Sequence, residues 1–94
     1  MDVQTLRLFR EVAAGATVTE TAARGHLTQP ALSRALRRLE HEAGAELFRR
    51  SGRLLRLTPA GHAFKRHVDL VLDQLDQGLR EVGEIVAPGT GVVP

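Results

Sequence analysis

The chain has 94 residues, with thirteen Lys and Arg against eleven Asp and Glu, no cysteine, and three aromatic residues, all Phe. That length suits one small domain with an appendage. It excludes a disulfide framework and a Cys-based zinc site, no apolar run approaches the roughly 20 residues of a membrane-crossing helix, and so few aromatics argue against a stacking platform for single-stranded nucleic acid.

With an N-terminus unlike a signal sequence, the expected setting is the cytoplasm. The net charge of +2 hides a strong segregation. Residues 1–23 carry −1, residues 24–66 carry +7, and residues 67–94 carry −4. The middle of the chain therefore concentrates a positive field that would attract a polyanion.

Asp2 can cap a first helix near residues 3–14, with Val3, Leu6, Phe9, Val12 and Ala13 inward, Arg7, Arg10 and Glu11 outward, and Gly15 as the stop. Thr17 and Glu20 have capping-box spacing for a short helix over about 18–25. There Val18 and Ala22 face in, and the small Thr21 and Ala22 let a neighbouring helix come close. Gly25 closes this helix, His26 and Leu27 make the turn, and Leu27 plugs the core.

Thr28 then caps a helix over 29–43, with Pro30 in the first turn, where no N–H is needed. Leu32, Ala35, Leu36, Leu39 and Ala43 share its apolar side. Pro30, Ser33, Arg34, Arg37 and His41 share the other, with Gln29 just before them and Arg38 alongside. This outer stripe has two arginines, a hydroxyl and no acid, a combination suited to the readable edges of duplex DNA. The competing reading is an ordinary solvated face. The two helices and their glycine-containing turn form a helix-turn-helix unit, and Gly44 ends the second helix.

Residues 47–50 and 53–57 flank Ser51-Gly52, a tight-hairpin signal. Leu55 and Leu57 face in, Leu54 and Arg56 out. Arg50 and Arg53 at the tip make this ribbon a wing, against the alternative of a plain hairpin closing the core. The expected fold class is mainly α: a winged helix-turn-helix of three helices and a two-stranded wing, followed by a long helix.

Thr58-Pro59 starts that last helix, and nothing stops it before Pro88, so it should span 59–86 and reach about 40 Å. Phe64, Val68, Val71, Leu75, Val82 and Ile85 recur at steps of four and three, and Leu72, Leu79 and Val86 widen the stripe. A small domain cannot cover so long a face, which predicts a homodimer. The dimerising residues are expected to be Phe64, Val68, Val71, Leu72, Leu75, Leu79 and Val82. The alternative is a helix folded back on its own domain. The division is thus 1–58 as winged domain, 59–87 as linker and dimerisation helix, and 88–94 as a flexible, Pro- and Gly-rich tail.

An enzyme is not expected. His26, His41, His62 and His67 form no metal-ligand pair, and no nucleophile motif or phosphate-binding loop occurs. No catalytic residue, metal or cofactor is assigned within this chain. The serious competitor is a protein–protein assembly module without specific DNA binding; a winged domain of another regulator family is a third reading.

The run TQPALSRALRRLEHEAGAELFRR, followed by SGRLLRLTPAG, resembles the N-terminal region of LysR-type transcriptional regulators. QPALSR, Leu39-Glu40 with Gly44 after it, LFRR and LTPAG occur together and in order. The resemblance implies a winged helix-turn-helix, a dimerising linker helix, and a C-terminal domain that binds a small-molecule effector and lies outside this chain. It implies dimers, pairing into tetramers in the full-length protein, on interrupted palindromes often bordered by A·T sequence. By the same resemblance Gln29, Pro30, Ser33, Arg34 and the wing's Arg53 contact bases. Arg34 can reach guanine and Gln29 adenine through two bonds each, and Pro30 and Ala31 can meet a thymine methyl. Thr28, Arg37, Arg49 and Arg50 would contact phosphates. Two departures stand out: Thr21-Ala22 replaces the family's paired alanines, and Gly25 stands where a large apolar residue is usual. Gly25 is expected to thin the contact under the second helix and to loosen its angle to the third.

Overall fold

In the computed structural model, residues 1–52 and 54–86 are described. The order is α1 (Val3–Ala13), α2 (Val18–Arg24), α3 (Gln29–Ala43), β1 (Phe48–Ser51), β2 (Leu54–Leu57) and α4 (Pro59–Val86). This is the winged helix-turn-helix with a long C-terminal helix.

The starts follow capping chemistry. Asp2 accepts from the Thr5 N–H at 2.7 Å. Thr17 and Glu20 close a reciprocal capping box, each bond 3.0 Å. Thr58 Oγ1 accepts from the Gly61 N–H at 3.0 Å and donates to the Glu46 carbonyl at 2.6 Å, so the same hydroxyl caps α4 and ties it to the base of the wing. Gly44 ends α3 in the left-handed region at φ +75°.

One core joins every layer. Leu8, Phe9 and Val12 of α1, Ala22 of α2, Leu32, Leu36 and Leu39 of α3, Leu47 and Phe48 at the wing base, and Val68 and Leu72 of α4 form a single cluster. All three aromatics meet within it: the Phe9 ring centroid lies 5.3 Å from that of Phe48 and 5.3 Å from that of Phe64, both inclined, as aromatic pairs prefer.

Four local expectations are corrected. Val3 is exposed, because the first turn of α1 overshoots the core, and Leu8 takes the inward place. Ala43 is exposed, because α3 runs past the body at its C-terminal end. Ser51 pairs with Leu54 inside the ladder, so it belongs to the strand and the turn begins one residue on, at Gly52. Finally, Gly25 has an ordinary right-handed backbone at φ −84°, and His26 carries the positive φ of the turn, at +56°. Gly25 lies close under Leu8: a Cβ there would sit 3.0 Å from Leu8 Cδ2, so the leucine would have to give slightly. Leu8 thus fills the volume that a large residue at position 25 would occupy, and the contact under α2 is kept from the other side.

The end of α4 matches expectation, but the role of its stripe divides. Val68 and Leu72 are buried and Phe64 half-buried within the chain's own core, so these three are corrected from dimer contacts to core residues. Leu75, Leu79 and Val82 further along remain exposed, as do Val71, Ile85 and Val86.

Candidate nucleic-acid interface

The first two turns of α3 face outward as one surface. Thr28 Oγ1 accepts from the Ala31 N–H at 3.2 Å, which fixes the entry of the helix. Gln29 and Pro30 are exposed, Ala31 and Ser33 half-buried, and Arg34, Arg37 and Arg38 exposed. Gln29, Pro30, Ser33, Arg34 and Arg37 line one shallow depression. Gln29 Nε2 donates to Thr19 Oγ1 at 2.9 Å, so α2 holds the amide in one orientation. Its second N–H and its carbonyl oxygen stay available, which is the donor–acceptor pair an adenine edge requires.

The wing stands beside this surface. Arg50 shares one cleft with Gln29, Ser33 and Leu55, and a second with Ser33, Arg37 and Glu40. The neighbouring Arg49 points the other way. Successive strand residues alternate faces, and Arg49 pairs directly with Arg56 across the ladder. Arg49 and Arg56 line a groove with Arg50, Ser51, Thr58 and Pro59 along the other side of the ribbon. Arg49 and Arg50, both expected on phosphates, thus alternate across the ribbon, with Arg56 beside Arg49, and all three border this groove. Arg53, expected at the wing tip, lies outside the described residues.

The position of the wing is set by Glu40. Its Oε2 accepts from the N–H of Leu47 at 2.7 Å and of Phe48 at 3.2 Å. A carboxylate from the last turns of α3 thus satisfies the two amides that open β1 and clamps the ribbon to the helix. Glu40, Thr19 and Arg56 went unassigned in the sequence reading. Strand alternation could have found Arg56; the other two depend on tertiary proximity.

Among the described residues, the arginines of this surface, Arg34, Arg37, Arg38, Arg49, Arg50 and Arg56, have no carboxylate partner, and neither do Arg66 and Arg80 of α4. Away from this surface, Arg7 and Arg10 pair with Asp76 and Asp73, Arg24 with Glu11, and Lys65 with Asp69. Like charges directly opposite in a ladder, as at Arg49 and Arg56, disfavour the pairing unless an anion lies between them. The described residues hold no cluster of three or more potential metal ligands, and none of their helices is long and apolar enough to cross a membrane.

A family profile described as "Bacterial regulatory helix-turn-helix protein, lysR family" matches residues 3–62. The chain belongs to the lysR family. The match covers the three helices, the wing and the first turn of α4, the same elements that build the basic surface. Among relatives in this family, the chain is 38% identical over 93 residues to the uncharacterized HTH-type transcriptional regulator YybE of Bacillus subtilis, covering 99% of this chain and 32% of that protein. It is likewise 38% identical over 93 residues to the transcriptional dual regulator GltC of the same organism, covering 99% and 31%. The chain spans about a third of the length of the curated relatives it matches. Its fold is similar to the crystal structure of a BenM_DBD/benA site 1 DNA complex, with a TM-score of 0.80 and 33% identity, covering 90% of this chain and 99% of that one. The crystal structure of a CbnR_DBD–DNA complex matches with a TM-score of 0.78 and 32% identity, covering 87% and 94%.

Proposed function

We propose that this lysR-family chain binds double-stranded DNA sequence-specifically, as the reading head of a transcription regulator, with α3 in the major groove. The observation that carries the reading is the exposed stripe of α3, where Arg34 and Arg37 lack carboxylate partners among the described residues and Arg50 of the wing stands alongside. An uncompensated cationic ridge of helix width fits the major groove and its phosphate rims. In this reading Gln29, Pro30, Ala31, Ser33 and Arg34 face base edges, Thr28, Arg37, Arg49 and Arg50 face phosphates, and Arg53 reaches the adjacent groove. The BenM_DBD and CbnR_DBD structures of similar fold are complexes with DNA, which supports the same reading.

The second half of α4 supports a homodimer. Leu75, Leu79, Val82 and Val86 continue at helical spacing the stripe that Phe64, Val68 and Leu72 bury, yet they are exposed. A symmetric pair implies an interrupted palindrome with half-sites about one helical turn, or a multiple of it, apart. The proposal includes the division into a winged domain over 1–58, a linker helix over 59–87 and a tail over 88–94. The setting is the cytoplasm, the chain is non-catalytic and holds no cofactor, and effector binding belongs to a further domain of the full-length regulator.

Fluorescence anisotropy against duplexes of varied sequence and salt tests this. Arg34→Ala should lose about 1–3 kcal/mol of discrimination at one base position, while Arg37→Ala should weaken all sequences alike and lower the salt slope by about 1. Absence of binding even at low ionic strength would leave an assembly module as the better account.

A further inference from the structure

We infer that Asp76, gripped by Arg7 and Arg10, is a positioning residue that sets the direction in which α4 leaves the reading head, and so the gap between half-sites that a dimer accepts. This rests on the dimeric, DNA-binding reading above. The apolar hold on α4 ends early. Leu72 is fully buried, and Leu75, Leu79, Val82 and Ile85 beyond it are exposed. From Leu72 to Val86 the helix runs about 20 Å with no further buried apolar residue.

Past that last apolar anchor the hold on the helix is polar. Arg7 holds the Asp76 carboxylate with two nitrogens, at 2.7 Å to Oδ1 and 3.4 Å to Oδ2. Arg10 reaches Asp76 at 4.0 Å and Asp73 at 3.2 Å. A forked guanidinium on a carboxylate constrains direction as well as distance. Both arginines stand on α1, whose Leu8, Phe9 and Val12 share a core with Leu32, Leu36 and Leu39 of α3. The grip therefore joins the departing rod to the reading helix through a rigid intermediary.

The leverage is large for so small a contact. Tilting a 20 Å arm by about 10° moves its end by about 4 Å, close to the 3.4 Å rise of one base pair. A change of angle too slight to disturb the core is thus enough to shift the accepted gap by a base pair. Partly exposed ion pairs add little to stability, so their loss should register in spacing rather than in folding.

The test uses the 94-residue chain and duplexes in which two fixed half-sites, chosen by selection with the unaltered chain, are separated by gaps varied one base pair at a time. The unaltered chain should prefer one gap over its neighbours by about fivefold or more. Asp76→Asn and Arg7→Gln should flatten or shift that preference, while affinity for a single half-site and the sedimenting mass stay unchanged. The conservative Arg7→Lys, which keeps the charge on Asp76, should retain more of it than Arg7→Gln. An unaltered gap preference in Asp76→Asn, with half-site binding and dimer intact, overturns the inference. A wild-type chain that binds no duplex or sediments as a monomer overturns the underlying reading, and this inference with it.

Discussion

Helices α3 and α4 carry the same kind of signal, an apolar stripe at helical spacing, and use it differently. In α3 the stripe is covered along nearly its whole length: Leu32, Ala35, Leu36 and Leu39 are buried. The face left over is cationic. In α4 the stripe is covered only as far as Leu72 and then continues uncovered through Leu75, Leu79, Val82 and Val86. The difference is one of reach, because a body of three short helices and a hairpin is shorter than a 28-residue rod. Periodicity reports which face of a helix is apolar; the size of the body it packs on decides where that face stops being core.

The sharpest way to break this contrast is at the close approach between α4 and the wing. A Cβ at Gly61 would collide with the Leu47 carbonyl oxygen and come within 2.9 Å of Leu57 Cδ2. The obstacle is backbone and cannot swing aside, so Gly61→Ala should cost more than about 3 kcal/mol in denaturant unfolding, at or beyond the upper end for overpacking. Next come paired truncations on the two halves of the stripe. Leu72→Ala should cost about 2–5 kcal/mol at any protein concentration. Leu79→Ala should leave the fold within about 0.5 kcal/mol and weaken self-association measured by sedimentation. Equal effects of the two truncations would remove the distinction between covered and uncovered halves.

Much of this was legible in the sequence. Thr58-Pro59 marks the start of α4, Thr17 with Glu20 marks α2, and Gly44 ends α3, because capping is local chemistry between residues a few positions apart. What was not legible depends on partners distant in sequence. Glu40 clamps amides seven and eight residues away. Leu8 is inward because it fills the space over Gly25, and that space exists only once α1 and α2 are packed. The same packing leaves the positive φ of the turn to His26. The arginines of the surface were found by composition and spacing. That Arg49 lies opposite Arg56 follows from the register, which moved when the turn moved.

A smaller effect is expected at α2. Thr21 is fully buried, and its hydroxyl finds no hydrogen-bond partner among the described residues. Thr21→Val replaces that hydroxyl by a methyl of similar shape, so it should stabilise the chain by about 1 kcal/mol in thermal unfolding. An unchanged or lower stability would mean that the hydroxyl is satisfied in solution.

The smallest expected effect is on pH dependence. The hydrogen bond from Arg7 holds the Asp76 carboxyl below its ordinary value of 3.8. The Thr5 backbone N–H does the same for Asp2, and the Thr17 backbone N–H holds Glu20 below 4.5. Carboxylates depressed in the folded state contribute stability that is complete above their ordinary values and fades as pH falls through the lowered ones. Stability should therefore be flat in these groups at neutral pH and decline in acid, and Asp76→Asn should make that decline shallower.

The central claim is that the outer stripe of α3, flanked by the wing, is the surface that meets DNA. Backbone amide chemical shifts, followed by NMR while a selected duplex is added, test it most directly. The account predicts that the shifts concentrate in residues 28–37 and around Arg50, and that they vanish on raising the salt. Shifts confined to the exposed half of α4, or no shifts at low salt, would contradict it.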